Sequence, residues 1–159
     1  MTISIGDKIP AGELMEMTAS GPAKVSTDDV FGGKKIAMFA VPGAYTPTCS
    51  AKHLPGFVEN LGALKSKGVD EVICLSVNDP FVMAAWGKAQ DAGEVRMMAD
   101  PDGSLTKAMD VAFDASGAGL GVRSRRYSML VEDGKVTQLN LEETGGFEVS
   151  DASTLLGQL

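Results

Sequence analysis

Cysteine is scarce. The 159 residues contain two, Cys49 and Cys74, too few for a disulfide framework, so a reducing compartment, the cytoplasm, is the expected location. Histidine is scarcer still. His53 is the only one, and the Cys and His residues together cannot complete a four-ligand zinc set. No metal or organic cofactor is therefore expected. No apolar run approaches the roughly 20 residues that a membrane-crossing helix needs. Met1 to Pro10 shows neither a basic n-region nor an apolar h-region, so neither a secretory signal nor a membrane partner is expected. Positive charge is also short, with 14 Lys and Arg against 21 Asp and Glu and a net charge of −7. That balance speaks against nucleic acid as a partner. Internal repeats, low-complexity stretches and linkers are missing too, and the length suits one domain, residues 1–159.

What is present alternates in type. Glu13 to Thr18 and Ala23 to Ser26 flank a Ser20-Gly21-Pro22 turn and read as an N-terminal hairpin. Thr27 to Phe31 reads as one helical turn. Lys35 to Val41, Glu71 to Val77 and Val95 to Met98 are short apolar runs, expected as buried strands. Between them come a helix from Cys49 to Lys67, loosened or kinked at Pro55, and a helix from Pro80 to about Gln90 with Asp79 before it. A short helix is expected from Ser104 to Asp110. The stretch from Ala115 to Gly121, holding Gly117, Gly119 and Gly121, is expected to be a loop. Tyr127 to Val131 and Lys135 to Leu139 flank Glu132-Asp133-Gly134, a strong hairpin signal. Ser150-Asp151 starts a final helix. The order implies an α/β fold: a central mixed sheet, parallel in its first part, with helices on both faces.

The chemistry concentrates at Pro42-Gly43-Ala44-Tyr45-Thr46-Pro47-Thr48-Cys49-Ser50. This loop leaves a buried strand and enters a helix at Cys49. Unpaired N–H groups and the positive dipole end at a helix start favour a thiolate over a thiol. Thr46 lies three residues before Cys49, where the Cys-x-x-Cys of thioredoxins has its first cysteine. Threonine cannot form a disulfide, but its hydroxyl can donate and accept hydrogen bonds. A thiolate so placed suits attack on an electrophilic atom with loss of a leaving group.

These residues, with Lys52-His53-Leu54-Pro55-Gly56-Phe57, resemble the active-site signature of peroxiredoxins, and more narrowly the type-5 branch, called type II in plants. The resemblance continues through Val77-Asn78-Asp79-Pro80-Phe81-Val82, Trp86-Gly87, Leu105 and Arg126-Tyr127-Ser128-Met129. It implies a thioredoxin-like fold and a thiol-dependent peroxidase that reduces hydrogen peroxide and organic hydroperoxides through a Cys49 sulfenic acid. Thr46 is implied as the hydroxyl that hydrogen-bonds thiolate and peroxide. Pro42 is implied as the ring that shields the sulfur, and Arg126 as the cation that pairs with thiolate and substrate oxygens. Gly43 is implied to line the substrate position with Thr46, Cys49 and Arg126. Some members carry a resolving cysteine near the C-terminal region, where this chain has Ser150. The expected reductant is thus external, glutathione with glutaredoxin first and thioredoxin second, and the expected assembly is a homodimer, with Tyr45 and Phe81 offering apolar contact. The same cysteine would also serve a peroxide sensor that relays oxidation to a partner protein.

Other residues carry weaker expectations. Strand alternation would send Arg125 and Arg126 to opposite faces, and spacing does not choose among Arg123, Arg125 and Arg126. Only the resemblance favours Arg126. His53 shares a helix face with Cys49 at i+4, so a Cys–His hydrolase dyad is conceivable. Cys74, between Ile73 and Leu75, is expected as a buried structural thiol. Glu142, Glu143 and Glu148 are expected to form a solvated acidic face.

Overall fold

The computed structural model describes residues 1–143 and 145–159. Seven strands form one sheet in the order β2-β1-β5-β4-β3-β8-β9: β1 (Glu13–Thr18), β2 (Gly21–Ser26), β3 (Lys35–Val41), β4 (Glu71–Ser76), β5 (Arg96–Ala99), β8 (Tyr127–Glu132) and β9 (Lys135–Leu141). β3, β4 and β5 are parallel. β8 pairs with β3 antiparallel and carries β9 with it, while β1 joins the far side through β5. The mixed sheet and both expected hairpins are present.

Alternation along β3 explains why the sheet has two cores. Ala37, Phe39 and Val41 point to one face, where they meet Cys74 of β4, Leu130 of β8 and Trp86 of α4 (Pro80–Ala89). Leu54 and Phe57 of α2 (Leu54–Glu59), Leu64 of α3 (Leu61–Ser66) and Leu155 of α6 (Ala152–Gly157) complete that layer. Ile36, Met38 and Ala40 point to the other face. There they meet Val30 and Phe31 of α1 (Thr27–Phe31) and Leu105 of α5 (Ser104–Ala108). A parallel sheet covered on both faces needs apolar residues at every position, which is why the central strands read as continuous runs and not as alternating ones. No helix among the described residues is long and apolar enough to cross a membrane.

Two elements differ from the sequence reading. The expected helix from Cys49 to Lys67 is three pieces: a π-helical turn at Cys49–His53, then α2, then α3. Pro55 has no N–H to return to the preceding turn, and the Leu54 N–H reaches back five residues to the Cys49 carbonyl. The break after α2 falls at Asn60, whose side-chain amide donates to the Gly56 carbonyl at 2.8 Å and closes the helix end. The second difference is a small hairpin, β6 (Ala112–Asp114) with β7 (Val122–Ser124), on either side of the glycine-rich loop. Three-residue strands leave no periodic signal in the sequence.

Candidate functional site

Cys49 lies beyond the C-terminal end of β3, where parallel α/β sheets place their ligand sites. The chain leaves Val41, turns through Pro42 to Thr46 and becomes helical at Pro47, a favoured first position for proline. Ser50 N–H donates to the Thr46 carbonyl at 2.9 Å and closes the first turn. The loop is also pinned from the neighbouring strand end. Asn78 Oδ1 accepts from the Ala44 N–H at 3.0 Å and from the Ser76 hydroxyl at 2.6 Å. Tyr45 takes φ 65°, the left-handed region that a bulky residue rarely adopts, and its ring remains exposed.

Cys49 is fully buried. Arg126 Nη2 donates to its sulfur at 3.1 Å, and Arg126 Nη1 donates to His53 Nδ1 at 2.9 Å. Arginine can only donate, so His53 Nδ1 must be the lone-pair nitrogen and Nε2 must carry the proton. That proton goes to the Ser150 carbonyl at 2.9 Å. Burial first, and the Arg126 charge second, lower the His53 pKa to about 3, which keeps the ring neutral. A neutral ring with both nitrogens engaged is a poor base for Cys49. The conceivable Cys–His dyad is therefore replaced by a Cys–Arg–His line, in which histidine orients arginine and arginine meets sulfur. Phe39, Phe57 and Phe147 surround the imidazole, with centroids 4.9, 5.7 and 5.0 Å away. Phe147 also lies under Arg126, 5.7 Å from the guanidinium carbon.

Glu142 corrects the expected solvated face. Glu143 and Glu148 are exposed, but Glu142 is buried and its carboxylate accepts from the N–H groups of Glu148, Val149 and Ser150 and from the Ser150 hydroxyl. Burial alone would raise its pKa. The amide and hydroxyl donors outweigh burial and hold the carboxyl below its usual range. The backbone of Glu142 ties the two arginines as well. Its N–H donates to the Arg126 carbonyl at 3.0 Å, and its carbonyl accepts from Arg125 Nη2 at 2.7 Å. The sequence marks neither this role nor that of Phe147. The one legible signal for His53 is its i+4 placement after Cys49.

A cleft of about 250 Å³ reaches Arg126, the donor to the sulfur, while Cys49 itself stays buried and does not line it. Pro42, Thr46, Arg125 and Arg126 line it together with the apolar side chains of Phe113 and Leu120. Strand alternation does not separate the two arginines, because both fall in the gap between β7 and β8. Thr46 is in place, but its hydroxyl donates to the Gly43 carbonyl at 2.7 Å and not to the sulfur. With its proton committed there, the oxygen is left to act as an acceptor. Gly43 has a packing reason to be glycine: a Cβ there would stand 2.9 Å from Arg123 Nη1 and 3.1 Å from Thr46 Cγ2. Arg123 Nη1 donates to the Pro42 carbonyl at 3.2 Å, so this third arginine braces the loop.

Cys74 is buried on β4, opposite Phe39 of β3. Burial, and then the Cys49 charge, push its thiol pKa well up, so it remains a neutral thiol. Trp86 is buried and donates to the Ser50 hydroxyl at 3.0 Å, bracing the π-helical turn. Tyr45 and Phe81 are both exposed, at 56% and 63%.

Comparisons with known proteins agree with this geometry. The model of the Redoxin family matches residues 4–156. Peroxiredoxin-2B of Arabidopsis thaliana is 47% identical over 99% of this chain and 98% of its own length. The chloroplastic Peroxiredoxin-2E-2 of Oryza sativa subsp. japonica is 49% identical over 99% of this chain and 73% of its own. Among solved structures, reduced Prx3 from Vibrio vulnificus in complex with H2O2 superposes with a TM-score of 0.96 at 46% identity, covering 99% of both chains. Peroxiredoxin 5 from Alvinella pompejana gives 0.86 at 35% identity, over 97% of this chain and 96% of its own. The fold is thus the thioredoxin-like one of these proteins, and the chain belongs to the Redoxin family, within its peroxiredoxins of plant type II, which are thiol-dependent peroxidases.

Proposed function

We propose that Cys49 is the peroxidatic cysteine of a peroxidase acting on hydrogen peroxide and organic hydroperoxides. The observation that carries this reading is Arg126, which donates to the Cys49 sulfur and lines the cleft at once. The thiolate attacks the terminal peroxide oxygen. An S–O bond forms, the O–O bond breaks, and the leaving alkoxide or hydroxide takes a proton to become alcohol or water. Cys49 ends as a sulfenic acid. Arg126 stabilises negative charge on sulfur before attack and on the leaving oxygen during it, and a fixed donor aimed at developing charge favours the transition state over the ground state. Thr46, its own proton held by Gly43, accepts from the peroxide hydroxyl and orients it. Pro42 shields the sulfur from bulk water, and Gly43 keeps Thr46 and Arg123 close to the substrate position.

The sulfenic acid is reduced by two external thiols, which leave as a disulfide with release of water. Cys74, a buried neutral thiol, supports an outside reductant over an internal one, and glutathione with glutaredoxin ranks ahead of thioredoxin. The catalyst is the single 1–159 domain with no metal or organic cofactor, a cytoplasmic homodimer joined near Tyr45 and Phe81. A coupled peroxide-consumption assay, with glutathione–glutaredoxin and thioredoxin supplied separately, tests the reading. Sustained turnover under excess peroxide is expected with the first pair. A single stoichiometric oxidation with neither reductant able to sustain turnover would identify a sensor in place of a catalyst.

A further inference from the structure

Of the four arginines in a chain of net charge −7, two, Arg125 and Arg126, line one cleft, and a third, Arg123, donates to the carbonyl of Pro42 at its edge. The fourth, Arg96, is ion-paired to Glu16 and Glu71. Among the described residues Arg123, Arg125 and Arg126 form no ion pair. Glu143 also borders the cleft but is not paired with any of them. Two of the three have structural or catalytic work. Arg123 donates to the Leu120 and Pro42 carbonyls, and Arg126 to His53 and Cys49. Arg125 is different. Among the described residues its only hydrogen bond runs from Nη2 to the Glu142 carbonyl, and its Nε is buried with no acceptor. The cleft is also larger than hydrogen peroxide needs. A site for one water needs ~10–15 Å³ on this measure and two oxygens about twice that, against about 250 Å³ here. Phe113 and Leu120 supply an apolar wall.

We propose that Arg125 reads substrate charge: it binds the carboxylate of an acidic organic hydroperoxide whose alkyl chain lies along Phe113 and Leu120 and whose peroxide end meets Thr46 and Arg126. The proposal rests on the peroxidase reading of Cys49. A guanidinium offers a carboxylate charge-assisted hydrogen bonds that a neutral ester cannot match. The apolar wall of Phe113 and Leu120 next to Arg125 suits an alkyl chain that ends in a carboxylate, and an acidic thiol reductant, which meets the sulfenic form instead, is the alternative that the test separates.

The test compares 6-hydroperoxyhexanoic acid with its methyl ester, measuring the rate of Cys49 oxidation in single turnover. Each rate is divided by that for hydrogen peroxide on the same variant, which removes general damage to the Arg126 pair. The parent should prefer the acid by tenfold or more, the scale of one charge-assisted hydrogen bond. The preference should fall to near one in Arg125→Leu and be intermediate in Arg125→Lys. If Arg125→Leu does not fold, the Lys variant alone must lower the ratio. Equal rates for acid and ester in the parent, or an undiminished ratio in the variants, would overturn the proposal. So would charge discrimination confined to the reduction step, measured with 3-mercaptopropionic acid and its methyl ester on the sulfenic form. Failure of hydrogen peroxide itself to oxidise Cys49 would instead sink the peroxidase reading.

Discussion

Acidification isolates His53, because the chain has no second histidine. Burial and Arg126 lower its folded pKa to about 3, from 6.5 when unfolded. The sign follows directly. The unfolded chain binds a proton below pH 6.5 that the folded one refuses, so the stability present above 6.5 is lost as pH falls. Between pH 7.5 and 5.0 the loss should be about 2 kcal/mol, with a slope approaching ~1.4 kcal/mol per pH unit below pH 6. Glu142 also has a lowered pKa, but its contribution is lost only below its unfolded value, mostly outside this window. The assay is urea denaturation of the reduced protein across pH 5.0–7.5, read as the midpoint at constant slope m. His53→Gln supplies the control. Its side-chain oxygen can accept from Arg126 and its amide can donate to Ser150, without titrating. The variant should be nearly flat over the same range. A flat parent, or an equal slope in the Gln variant, would show that the buried ring is not held neutral by its surroundings.

Four further outcomes are expected. Cys49→Ser should lose peroxide turnover in the coupled assay, since a neutral hydroxyl is a far poorer nucleophile than a thiolate, whereas Cys74→Ser should keep most of it and lose about 1–3 kcal/mol of stability on denaturation. Arg126→Ala should lose rate even at a pH where Cys49 is fully ionised, by about 2.7–4 kcal/mol if it acts as an oxyanion donor does; complete recovery at high pH would mean that it only favours the thiolate. Glu142→Gln can keep an oxygen under the donors that converge on Oε2 but loses the charge that strengthens them and sets an amide against the Glu148 N–H, so it should cost about 1–3 kcal/mol in urea denaturation and slow peroxide reduction through displaced Arg125 and Arg126. Sedimentation at micromolar concentration should show a dimer that Phe81→Asp weakens, and a monomeric parent would count against that assembly.

The site was legible in the sequence where punctuation and burial coincide. Continuous apolar runs at Lys35–Val41 and Glu71–Val77, broken by Pro42-Gly43 and Asn78-Asp79-Pro80, locate the strand ends to within a residue and therefore the position of Cys49. Arg126 came only through resemblance, because alternation assumes a strand and Arg125-Arg126 lie between two. The burial of Glu142 is not legible in the sequence, because its partners are backbone N–H groups six to eight residues away, which no side-chain pattern announces. The same holds for His53: i+4 spacing brought it to the right face, but its true neighbour, Arg126, arrives from 73 positions further along.

The π-helical turn at Cys49–His53 has a consequence for insertions and deletions. Such a turn holds one residue more than an α-turn, and each helical residue advances about 100°. Removing one residue between Cys49 and Leu54 would let the Leu54 N–H close on a carbonyl four residues back and restore a regular helix. It would also swing Cys49 by that angle relative to the Phe57 face, which is anchored against Phe39 at 4.1 Å, and carry the sulfur away from Arg126. Here a shorter and more ideal helix is the defective one, and the length of this segment is as much a determinant of reactivity as the identity of its cysteine.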